Sequence, residues 1–277
     1  MSGPRTALGA ILTAVFIALG CGEHSGAPNP TPGATSPTER STDAVPAAAT
    51  TTAPSSNAAT TAAVPPAVTT VPAGGAASAP TLVRSGPQGF RFEIRDIDEA
   101  LRARMQPSSW RPGCPVDLDD LRYLRLSYRD FTGQANTGEL VVHRDAVDAM
   151  FHVFAALWTA HYPINSLRLI DDFGGDDATS IAADNTSAFN CRFVAGTTRW
   201  SNHAVGLAID INPIENPWVE GGLTDHTASL PFIDRRAAPG VIIEGDAVTQ
   251  AFDAVGWGWG GRWGEPLDYQ HFSASGS

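Results

Sequence analysis

Residues 50–80 read TTTAPSSNAATTAAVPPAVTTVPAGGAASAP, and the same composition runs from residue 22 to about residue 85. Ala, Thr, Pro, Ser and Gly dominate this tract, and it has no Phe, Trp or Tyr. Ordering a backbone costs roughly 1–2 kcal/mol per residue, and a tract so poor in apolar side chains buries too little area to offset that. Residues 21–85 are therefore expected to form a disordered tether, with a reach on the order of tens of ångströms by random-coil scaling. A packed core must be built from residues 86–277.

Residues 1–20 read as an export signal. Arg5 supplies a positive start, and Leu8 to Leu19 form an apolar run too short to span a bilayer comfortably. The run ends at Ala18-Leu19-Gly20-Cys21, which resembles a bacterial lipobox, where the signal is removed and the new N-terminal cysteine is lipidated. Cleavage without lipidation and an uncleaved anchor are the alternatives. All three place the remaining chain outside the cytoplasm, held to the membrane through lipid on Cys21 or lodged in the cell wall. The other two cysteines, Cys114 and Cys191, most simply pair in an oxidising compartment, where so long a loop would contribute roughly 4 kcal/mol. Free buried thiols are the alternative; zinc ligation is disfavoured because neither has a nearby CxxC or Cys-His partner.

The formal net charge is −11, and every basic residue is arginine. Up to Ser85 there are three acidic and three basic residues, so the excess negative charge lies in the C-terminal part. Such a domain repels phosphate backbones, which argues against a nucleic-acid partner. A monomer is expected.

Beyond Gly86 the pattern is that of one compact domain of mixed elements. Leu140 to Val142 reads as a strand. Val147, Met150, Phe151, Phe154, Leu157 and Trp158 then fall on one face of a helix closed by Pro163. Ser166 to Ile170 and Leu207 to Ile211 read as strands. Ala247 to Val255 reads as a helix with Asp246 as N-cap and Gly256 as its stop, and Tyr269 to Ser273 as a last strand. Strands and helices in this order, with no internal repeat, indicate an α+β domain with a small antiparallel sheet and packed helices.

Two segments carry the candidate chemistry. In SNHAVGLAID, residues 201–210, His203 precedes a turn at Gly206 and Asp210 follows in an apolar strand between Ile209 and Ile211. A carboxylate buried among β-branched residues is costly unless paired or bound to metal. By themselves these two residues fit a hydrogen-bonded core carboxylate and a surface histidine equally well. The second segment, GWGWGGRWGEPLDYQHF, adds Asp268 and His271 near the chain end, with Trp257, Trp259 and Trp263 available to wall a groove. Two histidines and one aspartate can form a tetrahedral Zn²⁺ site whose fourth position holds water, with a further carboxylate as general base.

HAVGLAID behind a serine, DYQH near the C-terminus and NTSAFNCR at residues 185–192 together resemble the M15 family of zinc peptidases. That family includes D-alanyl-D-alanine carboxypeptidases and L-alanyl-D-glutamate endopeptidases. The resemblance spans roughly residues 110–273 and implies a Hedgehog/DD-peptidase-like fold. It implies Zn²⁺ held by His203, Asp210 and His271, Asp268 as the catalytic acid and base, and Arg192 polarising the scissile carbonyl. The implied substrate is the stem peptide of peptidoglycan, cut as a D-alanyl-D-alanine carboxypeptidase would cut it. An L-alanyl-D-glutamate endopeptidase and a non-catalytic wall-binding module are the alternatives.

Other residues invite plainer readings. Ser201 is expected to hydrogen-bond beside the metal and Asn202 to serve the turn. His143, His152 and His161 are expected to be structural. Asp225-His226 is superfluous as a metal pair, and Glu265 is the rival general base. Asp171, Asp172, Asp176 and Asp177 are expected to form a solvated acidic loop, with calcium binding as the alternative.

Overall fold

The computed structural model describes residues 80–277. The signal segment, Cys21 and nearly all of the expected tether lie outside the described residues. The first strand, β1 (Leu82–Ser85), begins ahead of the expected boundary at Gly86. Leu82 and Val83 are exposed on it, so it is held by backbone pairing and leaves little hydrophobic signal in the sequence.

From β1 the chain builds an antiparallel meander with β2 (Arg91–Asp96), β3 (Leu121–Arg129) and β4 (Ala135–His143), in the order β1-β2-β3-β4. The longest ladder joins β3 to β4, from Leu121 opposite His143 to Arg129 opposite Ala135. Successive strand residues point to opposite faces, and here each face carries a core. Leu121, Tyr123 and Val141 pack with Leu101 and Met105 of helix α1 (Glu99–Met105), which Asp98 caps through Leu101 N. Leu124, Leu126, Leu140 and Val142 pack with Met150, Val153, Phe154 and Leu157 of helix α2 (Val147–Thr159). The apolar face foreseen for that helix is therefore the one it buries; Phe151, at its rim, meets Phe90 and Phe92. Helix α2 ends at Thr159 and His161 takes a left-handed φ of 55°, so the stop precedes Pro163.

The expected strand from Ser166 to Ile170 is cut short. Only β5 (Ser166–Leu167) is extended, because Ile170–Phe173 coils into a 3-10 turn ended by Gly174 at φ 66°. Helix α3 (Asp177–Ala182) follows, and β6 (Asn185–Thr186) pairs with β5 in parallel. Next come β7 (Ala208–Asp210) and β8 (Trp218–Val219). Helix α4 (Ala247–Ala254) starts where the sequence indicated: Asp246 accepts from Val248 N and Thr249 N at 2.9 and 2.8 Å. It packs its Phe252 and Val248 into the α2 core.

The last strands are β9 (Gly258–Trp259), β10 (Leu267–Asp268) and β11 (His271–Ser273). Strand β11 lies between β7 and β9, and β10 pairs with β8. Phe272 faces inward, stacked on Phe252 at 3.8 Å between ring centroids. Cys114 and Cys191 are bridged, as expected, with Cα atoms 5.9 Å apart. Mixed helices and small, mostly antiparallel sheets make this an α+β domain. Among the described residues, no helix is long and apolar enough to cross a membrane.

Candidate metal centre

His203 is placed by a short capped turn. The Ser201 hydroxyl accepts from His203 N at 3.3 Å, the chain coils through Asn202–Val205, and Gly206 reverses it at φ 71°. His143 N on β4 donates to Gly206 O at 2.8 Å, which ties this turn to the large sheet. The chain then runs into β7, where Asp210 lies directly opposite His271 of β11. Two residues facing each other across antiparallel strands share a face. Ile209, Ile211 and Phe272 are fully buried on the core side, so Asp210 and His271 are both turned the other way, toward His203.

The three side chains converge. His203 Nε2 lies 3.1 Å from His271 Nδ1 and 3.2 Å from Asp210 Oδ2, and His271 Nδ1 lies 3.0 Å from Asp210 Oδ1. Among the described residues, this is the one group of three or more His, Cys, Asp or Glu side chains whose ligand atoms could share an ion. Donors bonded at about 2.0–2.1 Å to a tetrahedral ion stand about 3.3 Å apart, close to the separations found. His203 Nδ1 donates to Ala188 O at 2.6 Å, so that in the neutral imidazole Nε2 is the free ligand atom, and it is aimed at the cluster. The residues therefore fit a divalent ion that accepts nitrogen and oxygen donors.

Electrostatics in the ion-free cluster agree with that fit. Burial would raise the Asp210 carboxyl, but the two imidazoles overcome it and hold it far below the usual carboxylate range. Burial opposes charge on His203 too, yet Asp210 lifts it above an ordinary histidine. Asp268, half-buried on β10 opposite Trp218, is pushed up to about 6, first by burial and then by the Asp210 charge. Its Oδ1 is buried with no hydrogen-bond partner among the described residues.

The cluster opens into a groove of about 780 Å³ lined also by Asp268 and Arg192. One wall is the hairpin closed by Phe193 opposite Trp200, whose rings stack at 4.0 Å. Facing residues include Trp218, Asp225, Trp263 and Glu265. Arg192 follows the bridged Cys191, and its Nη2 lies 2.9 Å from Asp177 Oδ2.

Sequence expectations meet this geometry unevenly. His203, Asp210, His271, Asp268 and Arg192 are brought to one groove. Of the three tryptophans, only Trp263 lines it: Trp257 and Trp259 are buried in the core with Phe252 and Phe272, and Trp259 Nε1 donates to Tyr269 O at 2.8 Å. Glu265 reaches the groove but is exposed, and its Oε2 accepts from Gly221 N at 3.3 Å. Asn202 does more than turn the chain, since its Nδ2 donates to Ser275 Oγ at 3.0 Å. His143 is structural, its Nδ1 accepting from Asp145 N at 3.2 Å ahead of α2.

The acidic loop is solvated in part, as expected, with Asp172 and Asp176 exposed, but each of its carboxylates is also engaged. Asp171 accepts from Ser109 N, Asp172 pairs with Arg104 and Arg168, Asp176 caps α3 through Thr179 N, and Asp177 pairs with Arg192. Carboxylates committed to separate partners do not form a calcium cage. Of the other groove residues, Trp218 was not singled out in the sequence, and Asp177 and Asp225 had been given plainer readings. Asp177 opens the short helix α3 and Trp218 lies in the two-residue strand β8, elements too short for a period to mark the inward side.

Residues 195–274 match the M15 peptidase family model described as D-alanyl-D-alanine carboxypeptidase. The matched span contains His203, Asp210, Asp268 and His271, and it supports the M15 resemblance and a peptidase. Arg192 lies just outside it. No curated protein and no solved structure matches the chain.

Proposed function

We propose that this chain is a zinc-dependent peptidase of M15 type that hydrolyses peptide bonds in peptidoglycan stem peptides, in the manner of a D-alanyl-D-alanine carboxypeptidase. The reading is carried by one observation: Asp268, whose buried Oδ1 has no partner among the described residues, lines the same groove as Arg192 and the His203–Asp210–His271 donor cluster. His203 Nε2, His271 Nδ1 and an Asp210 carboxylate oxygen would hold the ion. When bound, Zn²⁺ supplies Lewis acidity toward a carbonyl oxygen and lowers the pKa of water.

The chain's own residues account for the remaining steps. Asp268, with its carboxyl near 6, takes a proton from the attacking water and returns it to the leaving amine. Arg192 donates to the oxygen on which negative charge develops as the carbonyl is attacked. Trp218 and Trp263 offer flat apolar surface to a peptide backbone in the groove. The Cys114–Cys191 bridge supports placement outside the cytoplasm, the setting expected from the signal segment and a lipid on Cys21.

The test is cleavage of defined muropeptides by the zinc-loaded full-length chain, with and without chelator, followed by mass spectrometry. Release of terminal D-alanine that stops with chelator is expected. Cleavage between L-alanine and D-glutamate would move the chain to the endopeptidase reading, and no cleavage would favour a wall-binding module. Asp268→Ala should lower turnover by roughly 10²–10⁴-fold while the metal content stays at one ion per chain. Loss of the ion in that variant would recast Asp268 as a ligand.

A further inference from the structure

Arg192 is fixed at its backbone from several sides. Cys191 is bridged to Cys114, Cys191 N donates to Ser109 O at 2.9 Å, and Arg111 Nη1 donates to Cys191 O at 2.8 Å. Its side chain has far less support. Among the described residues, Asp177 Oδ2 at 2.9 Å from Nη2 is its one carboxylate partner, and Nε is buried without a hydrogen-bond partner. A guanidinium carries five N–H donors in a fixed plane, so one contact at Nη2 sets the direction of the others.

Asp177 is well placed to set that direction. It is the first residue of α3, held there by the Asp176 cap, so its own backbone does not drift. Both Asp177 and Arg192 line the groove that holds the donor cluster. A surface ion pair would contribute little, but each partner here keeps only about a third of its side-chain exposure, 36% for Asp177 and 30% for Arg192. Burial pushes the Asp177 carboxyl up, and the Arg192 charge opposes that rise.

We propose that Asp177 is a positioning residue for Arg192: by engaging Nη2 it aims the remaining N–H groups at the carbonyl oxygen of a peptide bound in the groove. This inference rests on the peptidase reading for its kinetic consequence, though not for its structural one. Asp177 is not one of the three donor residues, and Arg192 is the side chain it pairs with. Because it also lines the groove, the double-mutant cycle separates an effect through Arg192 from a direct one.

The experiment is a double-mutant cycle on the zinc-loaded full-length chain, with Asp177→Asn, Arg192→Ala and the pair. Asp177→Asn should lower kcat by about tenfold to a hundredfold, the cost typical of a misaimed catalytic group, while KM stays within about twofold and metal content is unchanged. In the Arg192→Ala background the same substitution should have no further effect on kcat. Asp177→Glu, which keeps the charge, should recover part of the loss. Equal losses in both backgrounds would overturn the proposal, because Asp177 would then act without Arg192.

A second readout is independent of turnover. The ¹⁵N side-chain signals of Arg192 should report slow guanidinium rotation in the wild type and averaged rotation in Asp177→Asn. Identical rotation in the two would also overturn the proposal. If the wild-type chain shows no chelator-sensitive cleavage, the peptidase reading fails while this second arm still decides whether Asp177 holds Arg192.

Discussion

Gly206 stands between His203 and Asp210, and replacing it by alanine tests whether that turn fixes the donor cluster. At φ 71° an L side chain costs about 1–2 kcal/mol. The added Cβ would also sit 2.5 Å from His143 N and 3.1 Å from the carbonyl carbon of Val142, both backbone atoms of β4. Relief requires the turn to move off β4 and give up the His143 N to Gly206 O hydrogen bond, worth about 1 kcal/mol net. The sum is about 2–3 kcal/mol, which for a domain of this size lowers Tm by roughly 4–12 °C. Gly222→Ala is the control: its φ is 76°, but nothing lies within 4 Å of a Cβ there, so only the conformational cost of about 1–2 kcal/mol applies. Calorimetry in chelator measures both variants without metal linkage, and competition titration then measures zinc affinity, expected to fall about tenfold or more in Gly206→Ala only. A Gly206→Ala chain no less stable than Gly222→Ala, with wild-type zinc affinity, would refute the claim that this turn holds His203 against the sheet.

Removing the Cys114–Cys191 bridge in a double alanine variant opens a loop with a sequence separation of 77. The chain-entropy model puts the loss at about 4.5 kcal/mol, and calorimetry should show a Tm lower by roughly 9–18 °C; an unchanged Tm would mean the loop is held by other contacts. Glu215 is pushed up to about 8 by burial and by neighbouring Asp184, whose own carboxyl is raised by burial. Between the ordinary glutamate value near 4.5 and about 8 the folded chain therefore keeps a proton that the unfolded chain releases, so stability is complete at the acidic end and falls as pH rises through this window. Urea midpoints at pH 5 and pH 8 should differ in the wild type and lie closer together in Glu215→Gln, where the dependence from raised Asp268 and His203 remains; an equal gap in the variant would assign the dependence wholly to those other groups.

The donor residues could be found in the sequence because their chemistry is conspicuous: a carboxylate between Ile209 and Ile211 has few inexpensive explanations. What spacing alone did not show is that Asp210 and His271 are partners across β7 and β11, since the register of strands 61 residues apart leaves no local trace. Helices α2 and α4 were legible, through the apolar stripe of the one and through Asp246 and Gly256 at the ends of the other, whereas the short α1 and α3 were not. The first three strands were not. Strand β3 buries Leu121 and Tyr123 on one face and Leu124 and Leu126 on the other, and interleaved arginines blur both alternations. Trp257 and Trp259 were misplaced because a Gly-Trp repeat gives the period of a strand without saying which face meets the core. Asp177 was taken for a solvated charge because its partner is reached only through an irregular loop.

The central position of β11 has a temporal consequence. Strands β7 and β9 hydrogen-bond to it and not to each other, so a chain that ends before residue 271 has neither the small sheet nor the third donor. Contacts this distant in sequence form late, after loop closure has been met by other gains. Capture of an ion by these donors would thus mark the completion of folding, and its binding energy would favour only the finished chain. The complete donor set comes into being only when the last strand closes.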